Sequence, residues 1–107
     1  MIGRIVTVTI DRPLGSCHPT HPDIYYCVNY GYIEGIIAPD GEEQDAYILG
    51  VDIPLQTFTG EVIAVIHRKD DVEDKWAVAP EGMTFSQEKI EELTRFQERY
   101  FASEVII

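Results

Sequence analysis

Basic residues are scarce in this chain. Eight lysines and arginines stand against 19 aspartates and glutamates over 107 residues, a formal charge of −11 with neutral histidine. A surface of that sign repels phosphate backbones and anionic lipid heads, so we expect neither nucleic-acid nor membrane binding. Cysteine is scarcer still: Cys17 and Cys27 are too few for a disulfide framework. No apolar run approaches the roughly 20 residues needed to cross a bilayer. Met1-Ile2-Gly3-Arg4 leads into no signal-peptide core. The expectation is a cytoplasmic protein, and a length suited to one domain spanning residues 1–107.

What is present is β-like. Ile2, Val6, Val8 and Ile10 share one face of an alternating run, with Gly3, Ile5, Thr7 and Thr9 on the other. Asp11-Arg12-Pro13 breaks it, and Pro19 and Pro22 keep the chain irregular to Asp23. A second extended stretch, 24–37, carries Tyr25, Tyr26, Tyr30 and Tyr32. Strand-like runs follow at 46–53, 61–67 and 76–79, so strands fill about 2–80 and predict a small barrel or sandwich. The period then changes. Ser86 or Thr84 suits an N-cap, and Ile90, Leu93, Phe96 and Tyr100 recur at helical steps, predicting one C-terminal helix over about 87–101. The fold class expected is mainly β with that single helix.

Acid is concentrated in two windows at predicted strand junctions. Asp40, Glu42, Glu43 and Asp45 form the first; Asp70, Asp71, Glu73 and Asp74 form the second. Carboxylates at that density repel one another unless a cation, a basic partner or water screens them. Hard oxygen ligands suit Mg²⁺, Mn²⁺ or Ca²⁺, and solvated acidic turns are the alternative. The spacing of a helix–loop–helix calcium site is absent.

The lead-in to the first window is specific. Tyr26-Cys27-Val28-Asn29-Tyr30-Gly31-Tyr32-Ile33, followed by Asp40-Gly41-Glu42-Glu43-Gln44-Asp45-Ala46, resembles the signature of the soluble family I inorganic pyrophosphatases. That signature is similar to Tyr-Pro-x-Asn-Tyr-Gly-Tyr-Ile, a spacer, then Asp-Gly-Asp-Pro-x-Asp. Asp70 to Pro80 resembles the family's second acidic loop, and the segment with Phe96 and Tyr100 its closing helix. The likeness covers about Tyr25 to Phe101.

The resemblance implies an OB-like barrel that hydrolyses pyrophosphate to two phosphates with Mg²⁺, and it makes Mn²⁺ an alternative ion. It implies that Asp40, Asp45 and Asp70 match metal-binding aspartates, with Asp71 as the alternative to Asp70, and that Glu73 stands where another metal ligand is expected. Glu42 and Asp45 are the catalytic candidates, Glu42 standing where the family has an Asp that helps activate the attacking water. Lys75, Tyr30 and Tyr100 match residues that contact phosphate, and Tyr26 matches a tyrosine beside the site. The family's habit of self-association implies a homo-oligomer and gives the apolar tail Val105-Ile106-Ile107 an interface as one place to go; an edge strand is the other.

The departures lie among the basic groups. Thr7 and Thr9 align with a family lysine and glutamate, His18 falls near a family arginine, and the family's Tyr-Lys pair reads Tyr100-Phe101. Arg4, Arg12, Arg68 and Lys69 are candidates to replace them. These losses keep a second reading open: a non-catalytic relative that binds a divalent ion and a phosphorylated ligand. A hydrolase of another phosphoanhydride is a third.

Two further groupings carry less. Cys17-His18-Pro19-Thr20-His21 with Cys27 fits no standard zinc spacing. The tyrosine cluster resembles a stacking platform for single strands, but the net charge opposes that role.

Overall fold

The computed structural model describes residues 1–70 and 73–107. Five strands come first: β1 (Ile5–Arg12), β2 (Asn29–Ile37), β3 (Glu43–Ile48), β4 (Thr57–Arg68) and β5 (Asp74–Ala79). One helix, α1 (Gln87–Glu98), and a last strand, β6 (Ser103–Ile106), complete the order. The strands run β1-β2-β3-β5-β4 in space, and β4 pairs again with β1, which closes a five-stranded barrel. Closure removes the open edges that a flat sheet of this size would expose.

β4 makes closure possible because it is long. Its first half pairs with β1, Ile5 opposite Glu61 through Thr9 opposite Thr57. Its second half carries β5 on one edge and, where β1 has ended, β6 on the other. The apolar tail is therefore an edge strand within the chain, with Val65 opposite Ile106 and Ile66 opposite Val105.

Alternation sorts the side chains into two buried groups. Val6, Val8, Ile33, Ala46, Ile48, Val62, Trp76 and Val78 form one, the barrel filling. Tyr26, Tyr30, Tyr47, Ala64, Ile66 and Ala77 form the other, on the opposite face, where Ile90, Leu93 and Phe96 of α1 cover them. Full burial of each large side chain contributes roughly 1.5–3 kcal/mol. The helix begins at Ser86, whose Oγ accepts the Lys89 N–H at 3.1 Å. It ends at Glu98, shorter than the periodicity predicts, because the chain tightens there: the Phe101 N–H reaches back only to the Glu98 carbonyl, at 2.9 Å.

Strand limits also differ from expectation, for local reasons. β1 starts at Ile5 after a turn at Gly3 (φ 94°), and it runs past Ile10 to Arg12 through a bulge. Two steps on β1, Ile10 to Arg12, face one step on β2, Gly31 to Tyr30. The third strand spans 43–48 rather than 46–53, since Gly50 turns the chain with φ 86°. Among the described residues no helix is long and apolar enough to cross a membrane.

Candidate functional site

A cavity of about 490 Å³ opens where strand ends, the C-terminal end of α1 and the loop between β1 and β2 meet. That volume is typical of small-ligand sites. The bulge at Asp11 aims both Asp11 and Arg12 into the cavity; bulges commonly re-aim a side chain at a functional site. From β2 and β3 come Tyr30 and Asp45, and from the other wall Arg68, Glu73 and Lys75. Tyr100 and Phe101 follow the helix, while His18, His21 and Asp23 project from the β1–β2 loop. That loop holds itself by backbone hydrogen bonds, His18 N–H to the Ile24 carbonyl and Tyr26 N–H to the Ser16 carbonyl, each 2.9 Å.

The two acidic windows meet here. β3 and β5 are parallel neighbours with Ala46 opposite Trp76, so Asp45 and Lys75 lie side by side. Lys75 Nζ donates to Asp45 Oδ2 at 2.6 Å and to Glu73 Oε1 at 3.3 Å. Asp40 reaches the same group from the preceding turn. Its carboxyl is held below the ordinary aspartate value by the Glu42 N–H and by contact with the Glu73 carboxyl. Burial pushes the Tyr30 phenol well above its usual range, and the nearby Asp45 adds to the shift. Tyr30 is therefore a hydrogen-bond donor at neutral pH.

Of the residues expected from sequence, Tyr30, Asp45, Glu73, Lys75 and Tyr100 line one cavity, and Asp40 touches Glu73 at its margin. Glu42 is exposed and contributes its backbone N–H to Asp40 rather than a side chain to the cavity. Asp70 is exposed too, its carboxylate 3.5 Å from the Ala102 N–H beyond the helix. Asp71 lies outside the described residues.

The basic groups are not missing. Arg12 and Arg68 stand in the wall with Lys75, while Thr7 lies outside it, its hydroxyl 2.9 Å from that of Thr59. Arg68 donates from Nε to Glu98 Oε1 at 3.1 Å, from Nη2 to Glu98 Oε2 at 2.7 Å, and from Nη1 to Glu73 at 3.0 Å. Burial alone would weaken its charge, but the bonds to Glu98 outweigh that and raise its pKa. Arg12 donates to the Tyr26 hydroxyl at 2.7 Å. The only sequence signal for either arginine is that so few bases exist to choose from. Asp11, Asp23 and Gln97 line the cavity without any motif to mark them.

Among the described residues no three carboxylates, imidazoles or thiols stand close enough to enclose a metal ion by themselves. The donor chemistry does fit a divalent ion that arrives with phosphate. Mg²⁺ is commonly held by one or two carboxylates together with substrate oxygens rather than by an all-protein cage. The charges point the same way. Asp11, Asp23, Asp45 and Glu73 outnumber Arg12, Arg68 and Lys75, so a polyanion entering alone meets a net negative wall.

No protein-family model and no curated protein sequence matches the chain. Solved structures do match it. An inorganic pyrophosphatase from Ehrlichia chaffeensis is similar over 97% of this chain and 85% of that one, with TM-score 0.73 and 18% identity. One from Neisseria gonorrhoeae is similar over 92% and 74%, with TM-score 0.69 and 21% identity. One from Thermus thermophilus is similar over 96% and 80%, with TM-score 0.66 and 17% identity. The chain carries the fold of these bacterial inorganic pyrophosphatases.

Proposed function

We propose that the cavity binds pyrophosphate, or a closely related small phosphate compound, and hydrolyses it with a divalent ion. The observation that carries this reading is the convergence of Arg12, Arg68 and Lys75 with Asp45 and Glu73 on one cavity. Asp40, Asp45 and Glu73 would hold Mg²⁺ or Mn²⁺ with the substrate's own oxygens, with Asp70 and Glu42 outside the wall. The ion would offset substrate charge and polarise the phosphoryl group.

The chain's own groups do the rest. Lys75 has three N–H donors and gives two to Asp45 and Glu73, leaving one for a phosphate oxygen. Tyr30 and Tyr100 hydroxyls donate alongside it, and charge-assisted bonds of this kind are the strong ones. Asp45 binds Lys75 through Oδ2. Its carboxylate also lies beside the Tyr30 hydroxyl, and it takes the proton of the attacking water as the water oxygen bonds to phosphorus. The bridging P–O bond breaks, and two phosphates leave.

A second reading, binding without turnover, is favoured by one observation: Lys75 and Arg68 already neutralise Asp45 and Glu73 in part. By its likeness to the family, we place the protein in the cytoplasm as a homo-oligomer; light scattering on the purified protein checks the assembly. Phosphate release from pyrophosphate, triphosphate and nucleoside triphosphates, with Mg²⁺, Mn²⁺ or EDTA, tests the function. Release from pyrophosphate only when a divalent ion is present supports hydrolysis. Binding with no release supports the second reading, and neither binding nor release ends both.

A further inference from the structure

Glu98 is the last residue of α1 and is buried. A carboxylate is poorly suited to that place, since the helix end carries partial negative charge and favours cations. Burial adds a second penalty, and apolar replacement of buried ion pairs is often neutral or stabilising. Helix stability therefore does not call for a glutamate here.

Its contacts point elsewhere. Glu98 accepts two bonds from Arg68, one from the Tyr47 hydroxyl at 2.6 Å and one from Ser103 Oγ at 2.7 Å. Tyr47 in turn accepts from Gln97 Nε2 at 2.8 Å, and Gln97 Oε1 accepts from Tyr26 at 2.6 Å. Tyr26 accepts from Arg12. An unbroken hydrogen-bonded chain thus joins Arg68 on β4 to Arg12 on β1, and both arginines and Gln97 line the cavity. Phe101 covers one flat face of Arg68, its ring centroid 3.6 Å from Cζ. Three of its five N–H groups are used by Glu98 and Glu73, leaving one on each terminal nitrogen.

We propose that Glu98, assisted by Gln97, is a positioning residue of the phosphate site. It fixes the angle at which Arg68 offers its two remaining N–H donors, and the chain through Tyr47, Gln97 and Tyr26 sets Arg12 opposite. This rests on the phosphate-binding reading above and adds the device that aims the arginines.

Calorimetric titration of Mg²⁺-imidodiphosphate, which is not hydrolysed, into the full chain tests it, with Glu98→Gln, Arg68→Met and the double variant alongside. Glu98→Gln keeps the shape, loses the carboxylate charge, and weakens binding roughly tenfold, as expected for one lost charge-assisted contact. If Glu98 acts through Arg68, the double variant binds no worse than Arg68→Met alone. Should Glu98→Gln not fold, Tyr47→Phe breaks the same chain at its centre and is expected to weaken binding by about threefold. Wild-type binding with Glu98→Gln unchanged, or fully additive losses in the double variant, overturns the positioning role while leaving the site intact. No wild-type binding at all removes the site, and the positioning role with it.

Discussion

Lys75 and Asp45 stand on adjacent parallel strands with nitrogen and oxygen 2.6 Å apart, the lysine side chain 5% exposed and the aspartate 34%. The pair ties the first acidic window to the second, because the same ammonium also reaches Glu73. It does so at an asymmetric cost. The lysine needs its partners, whereas the aspartate keeps water on one side.

Lys75→Met tests the first half of that asymmetry. It leaves Asp45, Glu73 and Asp40 as like charges with no ammonium between them. Because Asp45 is partly solvated, the loss is expected at about 1–3 kcal/mol, below the usual figure for breaking a fully buried pair. Urea unfolding reads it, and an unchanged midpoint contradicts it.

Asp45→Asn tests the second half. The amide keeps the shape and Glu73 stays beside the buried ammonium, but the nearest counter-charge is lost, so stability should fall by about 1–3 kcal/mol with the fold retained. Divalent-dependent phosphate release should vanish. Full activity in a folded variant removes Asp45 from the chemistry.

Acid should separate wild type from Glu98→Gln. Burial tends to raise the Glu98 pKa, but the bonds from Arg68 and Tyr47 prevail and hold it below the ordinary value of 4.5. The folded value lies under the unfolded one, so its contribution is complete above pH 4.5 and drains as pH falls through the lower folded value. Unfolding midpoints at pH 7 and pH 3 should therefore fall further in wild type than in the variant. Equal falls contradict the assignment.

Gly31→Ala tests the barrel seam beside the site. A methyl there would run into the Thr9 carbonyl oxygen and backbone of β1, with no flexible side chain to yield. We expect a loss of at least about 2 kcal/mol, or no folded protein. A wild-type melting temperature contradicts the β1–β2 register.

Much of this is legible in the sequence. Period-two alternation of Val6 and Val8, and of Ala46 and Ile48, marks barrel strands because each strand must keep one face dry. The acidic windows are visible as composition, and the register of β3 on β5 explains why they meet. The arginines are not legible. Arg12 reaches the cavity only because a bulge at Asp11 shifts the strand, and a bulge leaves no periodic trace. Arg68 does so because β4 outlasts β1 and carries its end to the helix, a consequence of closure rather than of any local pattern. β6 is legible only as an apolar tail: its four residues carry too little alternation to decide between an edge strand and an interface, and pairing with β4 decides it.

The most direct measurement is a crystal structure of the protein soaked with Mg²⁺ and imidodiphosphate, a non-hydrolysable pyrophosphate analogue. We expect the two phosphoryl groups in the cavity, one within hydrogen-bonding distance of Lys75 and Arg68, the other toward Arg12, with the ion against Asp45. Saturating ligand with only water between those side chains would contradict the site at its root.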